Sequence, residues 1–421
     1  MKRHVVVTGL GVVTSLSCRV DDLWNRILAG ESGVHPLRLF DVSDFKVRFG
    51  GDIYDWDPSE HISPKEIKRI DRFTQFAMVA GAEAITDSGL DFSHEDPFRC
   101  GVILGTGIGG LAEIETQNAR LLTKGPDRVS AMTVPKMMLN AAGGHLSIEY
   151  GLRGPNYTVA TACASATNAI GNALKSIQYG DADIMITGGT EAAMTRMALS
   201  AFQNIKALSR RNENPQRASR PFDMDRDGFV FSEGAGILVF EEFEHARARG
   251  ANIYAEVLGY GASGDAGHIT QPDENGTGAA RSIAGALHDA KLNPTELDYI
   301  NAHGTSTPLG DKAETLAVKI VFGDAARRLS ISSTKSHLGH SLGASGGIEL
   351  VLAAKALQHR IVPPTINLDT PDPDCDLDYT PGDPRERNIK TAMSNSFGFG
   401  GHNASVIIGT LRNGTVRNGK V

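Results

Sequence analysis

The chain has 421 residues, enough for about two or three domain-sized units. Its 42 basic and 49 acidic residues leave a net charge of −7, with 22% charged and 41% hydrophobic residues. That balance argues against a disordered chain and offers no overall basic charge for nucleic acid. No stretch reaches the ~18 apolar residues of a membrane span. Four dispersed cysteines (Cys18, Cys100, Cys163 and Cys375) supply neither a disulfide framework nor a cysteine-rich zinc site. A reduced, cytoplasmic setting is therefore expected, with no membrane and no nucleic acid as partner. Glycine stands out, at 47 residues, about 11% against a usual ~7%, which predicts tight strand-to-helix turns and close backbone packing.

At the N-terminus, Lys2-Arg3 and the apolar run over 5–16 imitate an export signal. However, Thr8, Gly9, Gly11 and Thr14 interrupt the run, and Ser15-Leu16-Ser17 makes a poor cleavage box, so a buried first strand with its turn is predicted. Beyond it, short β-branched runs alternate with helix-period segments, the pattern of parallel sheets with crossover helices. The first part predicts strands over 4–8, 100–104, 157–161, 183–187 and 235–241, with helices near 21–28, 110–122 and 164–178. The second predicts strands over 253–259, 298–301, 329–332, 391–395 and 404–408, with helices near 277–289, 311–322 and 343–357.

Both parts spell β-α-β-α-β-α-β-β. The reading is an α/β protein of two similar halves, 1–250 and 251–410, packed as one body. No proline- or serine-rich linker marks the junction near 247–252. The first half carries the larger insertions, a helix over 64–88 and a long segment over 194–234. On that helix Lys65, Lys68, Arg69 and Arg72 fall at i, i+3, i+4 and i+7, a basic stripe suited to solvent or to an acidic partner. The polar tail over 411–421 is expected to fray.

Three turns could carry chemistry. In Thr161-Ala162-Cys163-Ala164-Ser165 a β-branched run stops at a cysteine and a small-residue helix begins. The helix N-terminus favours thiolate there and presents N–H groups to an oxyanion, although a buried structural cysteine fits as well. Lys335-Ser336-His337-Leu338-Gly339-His340 occupies the matching place in the second half, and His303-Gly304-Thr305 follows another strand. A thiol, histidines and a lysine thus sit just past the carboxyl ends of parallel strands, where open α/β sheets bind ligands. Taken singly, each histidine is more often structural; their shared placement favours one pocket.

Several patterns are decoys. Gly105-Thr-Gly-Ile-Gly-Gly fits a dinucleotide loop, yet no second strand with an acidic end follows, since 129–143 reads as loop and broken helix. Gly343-Ala-Ser345-Gly-Gly fits a nucleophile elbow, but Ser345 lies inside a helix start. Asp223, Asp225 and Asp227 open like a calcium loop whose twelfth position is Gly234 rather than glutamate. His337 and His340 would need further metal ligands, and none is identifiable.

Taken together, Thr-Ala-Cys-Ala-Ser at Cys163, Asn-Ala-His-Gly-Thr-Ser-Thr at His303, Lys-Ser-His-Leu-Gly-His from Lys335 to His340, and Asn-Ser-Phe-Gly-Phe-Gly-Gly from Asn395 resemble the β-ketoacyl-acyl carrier protein synthases, chiefly their bacterial type II members. The resemblance runs from Val7-Thr-Gly-Leu-Gly to Gly401, nearly the whole chain. It implies a thiolase-like fold, a homodimer and acyl carrier protein as partner. Cys163 would take the acyl chain as a thioester, with the N–H groups of Cys163 and Phe399 holding the oxyanion. His303 and His340 would stabilise the enolate formed as malonyl-carrier protein loses CO2, and Lys335 paired with Glu349 would order the site. Thr270, Thr305 and Thr307 match contacts to the pantetheine arm, Ile108 and Phe202 match residues lining the acyl pocket, and Phe399 matches a gate between acylation and condensation. Lys65, Lys68, Arg69 and Lys206 match the carrier-docking patch. No redox cofactor and no catalytic metal is implied, while a structural monovalent cation is implied near Asn301, Glu349, Ser394 and Asn395.

Three departures bear on chain length. Gly267 stands where relatives carry an aromatic residue, Ala166 where glycine is common, and His402 where many have threonine. The leading expectation is condensation in fatty acid elongation. The same chemistry in a polyketide or specialised lipid pathway is the near alternative. A non-catalytic chain-length-factor subunit is the alternative from another class, disfavoured by Cys163 and both histidines. A cysteine hydrolase would leave Lys335 and the second histidine unexplained, and a reductase should bind NADPH.

Overall fold

Burial fixes the first strand along its whole length. Val5–Thr14 (β1) is inaccessible at every residue and runs further than predicted, through a bulge between Val7 and Gly9. Glycine is required here: a Cβ on Gly9 or Gly11 would stand 2.0 or 1.9 Å from the carbonyl oxygen of Ala84 or Ala80 in the helix lying across the strand. The computed structural model describes residues 2–411, so the tail expected to fray lies, past Leu411, outside the described residues.

The first half continues with helices Val20–Leu28 (α1) and Arg72–Ser88 (α2), strand Cys100–Gly105 (β2), helix Leu111–Lys124 (α3), strand Asn156–Val159 (β3), helix Ser165–Tyr179 (α4), and strands Ile184–Glu191 (β4) and Gly234–Glu242 (β5). The second half repeats the plan. It consists of strand Ala255–Gly264 (β6), helix Thr277–Ala290 (α5), strand Tyr299–Asn301 (β7), helix Pro308–Phe322 (α6), strand Ser330–Ser332 (β8), helix Ser345–His359 (α7), and strands Thr391–Gly398 (β9) and His402–Gly409 (β10). α6 begins one turn earlier than predicted because Pro308 occupies its first position after Thr307.

The ten strands run β8-β7-β9-β10-β6-β1-β5-β4-β2-β3. Read from its own edge, each half has the order third, second, fourth, fifth, first. In each the first three of these strands pair parallel and the others antiparallel. The halves join where β1 meets β6 antiparallel at Val6↔Glu256 and Val7↔Ala255. α4 and α7 pack on each other between the two halves of the sheet, while α2 and α5 cover the outer faces. The central layer is the driest: 13 of α7's residues are buried, and its hydrophobic face belongs to the cluster that contains β1, α4 and β10. Burial of that continuous apolar layer is the main source of stability.

One expectation fails in the first insertion. The helix predicted over 64–88 is two helices, Pro64–Ile67 and α2, with Ser63 and Asp71 capping their N-termini. The chain turns between them, so the four basic residues do not form one helical stripe. Lys65, Lys68 and Arg69 are exposed, whereas Arg72 turns inward to pair with buried Glu233 at 2.6 Å and lies over Phe76.

Candidate active site

The end of β3, the start of α4, and the turns after β7, β8 and β9 converge on a single cleft of about 590 Å³. Its position follows from backbone crowding. A Cβ on Gly105, the last residue of β2, would meet the carbonyl carbon of Ser165 at 2.2 Å, so glycine lets α4 start hard against the sheet. The turn ahead of α4 is tied by Ser165 Oγ, which accepts from the Thr161 N–H (2.9 Å) and donates to the Ala162 carbonyl (2.7 Å). Ala162, Ser306 and Leu342, each beside a cleft residue, hold φ at 49°, 70° and 48°. Such non-glycine residues cost about 1–3 kcal/mol each and persist where surrounding contacts over-determine them.

Cys163 lies at the cleft floor, 8% exposed. Its Sγ is 3.0 Å from His340 Nε2, and His340 Nδ1 is 2.9 Å from Ser345 Oγ. A hydroxyl can donate or accept, so Ser345 supports either tautomer of His340. The His303 ring stands edge-on to His340 at 5.4 Å between centroids, and its Nδ1 is buried without a partner among the described residues. The thiol and the two imidazoles place one ligand atom each within 4.8 Å of one another. Behind them Lys335 Nζ and Glu349 Oε1 form a buried ion pair.

Electrostatics correct the thiolate expectation. Cys163 precedes the first residue of α4, and burial pushes its thiol up to about 11, opposed by a hydrogen bond from the Phe399 N–H and by the charge of Lys335. Desolvation outweighs the helix terminus, and the resting group is a neutral thiol. Burial, followed by the Lys335 charge, holds His340 and His303 well below the usual histidine range. Both are neutral imidazoles able to donate through one nitrogen. Glu349 is raised by burial, against the pull of Lys335.

The expected substrate-binding residues reach the same cleft. Ile108, Phe202, Thr270, Thr305, Thr307, Phe399 and Lys206 all line it. Thr305 and Thr307 join their hydroxyls at 3.0 Å. A Cβ on Gly398 would come within 3.0 Å of the Cys163 nitrogen, so the turn carrying Phe399 lies directly on the nucleophile. Lys65, Lys68 and Arg69 do not line the cleft. Of the three departures, Gly267 is exposed with nothing near the place of its Cβ, Ala166 is fully buried, and His402 is exposed.

The decoys have structural roles. His337 sets its ring nitrogens against the carbonyls of Glu31 (2.8 Å) and Pro364 (3.1 Å), away from His340's task. Asp223 is occupied by Arg220 (2.8 Å) and by the N–H groups of Asp225, Asp369 and Thr370, each at 2.9 Å. The glycine loop over 105–110 wraps the carboxylate of Glu191 instead of a phosphate. Sequence reasoning missed Glu191 and Glu314, the latter accepting from the N–H groups of His303 (2.9 Å) and Gly304 (2.8 Å), and set aside Ser345, which bonds His340. For Glu191 and Glu314 the available signal was a carboxylate at a position whose neighbours are apolar or small.

A neutral thiol between hydrogen-bond donors suits reactions in which an acyl group rests on sulfur while an enolate forms beside it, which is the province of the condensing acyltransferases. Residues 2–246 match the family model described as beta-ketoacyl synthase, N-terminal domain, and residues 254–369 match its C-terminal domain. The chain belongs to the beta-ketoacyl synthase family. It is 50% identical over 405 residues to 3-oxoacyl-[acyl-carrier-protein] synthase 2 of Synechocystis sp., covering 96% of this chain and 97% of that one. It is 48% identical to the synthase 2 of Coxiella burnetii, covering 97% and 98%. Among solved structures, a beta-ketoacyl synthase from Burkholderia phymatum superposes with a TM-score of 0.91 at 36% identity, over 98% of this chain and 100% of that one. The ketosynthase of a type II polyketide synthase, in complex with its acyl-carrier protein and bound to a hexaketide, gives 0.91 at 38% identity, again over 98% and 100%. The fold is thiolase-like, two pseudo-symmetric α/β halves in one layered body.

Proposed function

We propose that the protein elongates fatty acyl chains by decarboxylating Claisen condensation, giving 3-oxoacyl-acyl carrier protein. The observation that carries this is Cys163 Sγ at 3.0 Å from His340 Nε2, with His303 at the same cleft floor. In the first half-reaction Cys163 attacks the thioester carbonyl of the acyl-carrier protein. The N–H groups of Cys163 and Phe399 hold the oxyanion, and the thiol proton passes by way of His340 to the departing pantetheine sulfur. Malonyl-carrier protein then loses CO2. The thioester oxygen takes the enolate charge and accepts hydrogen bonds from His303 and His340, each worth about 3–4 kcal/mol in a site of this kind. The enolate carbon attacks the Cys163 thioester, the tetrahedral intermediate expels the Cys163 thiolate, and that sulfur takes up a proton. Lys335, held by Glu349, lends positive charge to this sequence.

In this reading Thr270, Thr305 and Thr307 contact the pantetheine arm, Ile108 and Phe202 the acyl chain, and Phe399 gates between acylation and condensation; all six line the cleft, which supports it. Lys65, Lys68 and Arg69, exposed, and Lys206 at the cleft rim, supply positive charge for an acidic carrier protein. The working division is a first half, 1–250, carrying the nucleophile, and a second, 251–410, carrying the histidines and lysine. A homodimer is supported by β3, an edge strand with Tyr157 43% exposed, and by Ile148 and Leu122, 81% and 77% exposed. No redox cofactor or catalytic metal enters this sequence. Asn301 Oδ1, Glu349 Oε2 and Ser394 Oγ are buried without partners among the described residues, and this oxygen set, with Asn395, would hold a structural monovalent cation, a hard ion suited to oxygen ligands. None of the helices among the described residues is long and apolar enough to cross a membrane, in keeping with a cytoplasmic enzyme.

The test supplies acyl-carrier proteins of graded chain length with malonyl-carrier protein and follows 3-oxoacyl product by mass spectrometry, with Cys163→Ala as control. Product from the wild type alone is expected, and the rate profile reports chain length. No product with any primer from a folded protein would overturn the fatty-acid reading and favour a dedicated polyketide or lipid carrier.

A further inference from the structure

Glu191, the last residue of β4, is fully buried and takes part in none of the ion pairs among the described residues. Its carboxylate instead gathers five donors from two segments. The N–H groups of Gly107 (2.7 Å), Ile108 (3.2 Å) and Gly109 (3.3 Å) and the Thr106 hydroxyl (3.0 Å) come from the loop after β2. The Gly343 N–H (3.1 Å) comes from the turn after His340. Both segments crowd it, since a Cβ on Gly107 or Gly343 would stand 2.9 or 2.7 Å from Oε2. The first segment presents Ile108 to the cleft, and the second presents His340 and Leu342. Burial raises the Glu191 pKa, and the donors oppose that shift.

We infer that Glu191 is a positioning residue that ties the acyl-pocket wall to the turn carrying His340, so that one carboxylate sets both the chain length accepted and the placement of the imidazole beside Cys163. The inference rests on the condensation reading above. The two segments lie more than two hundred residues apart in sequence and are tied by this group; they also pack directly, the place of a Cβ on Gly343 being 2.4 Å from the Gly107 nitrogen, so a shift of either is felt by the other. A glutamine keeps the volume but turns an NH2 toward N–H donors, which cannot bond to it. An aspartate keeps the charge but is one methylene short of spanning both segments.

The test measures Glu191→Gln and Glu191→Asp by condensation across graded acyl-carrier proteins and by alkylation of Cys163 with N-alkyl maleimides of graded chain length. Glu191→Gln is expected to lower kcat about tenfold or more, as loss of charge-assisted hydrogen bonds does, while the KM for malonyl-carrier protein moves less than about twofold. Both readouts should also change their ratio of long-chain to short-chain rates by about threefold or more, with Glu191→Asp intermediate. A purely architectural role would slow all chain lengths alike. Variants that keep the wild-type chain-length profile in both assays overturn the inference. If Glu191→Gln does not fold, Glu191→Asp and Thr106→Val, which removes a single donor, carry the same test. The maleimide profile needs no turnover, so a wild type that makes no condensation product would count against the condensation reading while this inference is still decided.

Discussion

Removing one partner of the Lys335–Glu349 pair should cost more than removing both. Each side chain is 3% exposed, so Lys335→Met leaves a buried carboxylate, and Glu349→Leu a buried ammonium, without its ion-pair partner. Losses of about 3–5 kcal/mol are expected for each single variant, whereas apolar replacement of a whole buried pair is often neutral. The double variant should therefore unfold at nearly the wild-type urea concentration, giving a coupling energy of at least about 5 kcal/mol in the cycle. Condensation should be lost in all three. The sign of the pH dependence in Lys335→Met follows from Glu349, already raised above its ordinary value by burial, with Lys335 opposing that rise. Without the lysine the folded pKa climbs further, so the loss of stability is felt in full above that pKa and vanishes as pH falls below the unfolded value of about 4.5. Urea midpoints of the four proteins, read by tryptophan fluorescence at neutral pH and near pH 5, provide the measurement. Additive single losses, with coupling under about 0.5 kcal/mol, would refute the reasoning.

Because the Cys163 thiol is pushed up to about 11, its alkylation by iodoacetamide in the resting enzyme should gain about tenfold per pH unit through the neutral range. It should be slower still in Lys335→Met; a plateau near neutral pH would show a thiolate instead. His245 lies 2.9 Å from Glu241 and 3.0 Å from Glu95, and those carboxylates push its pKa up to about 9 despite partial burial. Its contribution to stability is present in full below the unfolded value of about 6.5 and lost as pH rises through about 9, so the gap in melting temperature between wild type and His245→Gln should close over that window. A constant gap would disprove it. The proposed homodimer pairs along the open β3 edge, so Tyr157→Asp should halve the mass seen by light scattering without unfolding the subunit, and an unchanged mass would refute that interface.

The ten sheet strands were legible because buried β-branched runs leave little choice of structure, and the repeat of their order in both halves could be read before any contact was known. Meeting of Cys163 and His340 across the chain was legible only through their equivalent placements after strands. The break between Ile67 and Arg72 was not, because i, i+3, i+4, i+7 spacing is blind to caps inside the run. Ser63 and Asp71 were the available signs. Nor could sequence show the protonation of Cys163, which depends on how deeply neighbouring turns bury it. The work of Glu191 escaped for a related reason, since its partners arrive from segments remote in the chain.

The thiol enters on one repeat and the imidazoles on the other, and the two join edge to edge where β1 meets β6. A severed half therefore holds an incomplete set of groups. Ile108 and Phe202 travel with the thiol, and His303, His340 and Lys335 travel together on the other side. Exchanging one entire half between relatives is thus a natural cut for building hybrids, in which the thiol would come from one parent and the imidazoles and lysine from the other.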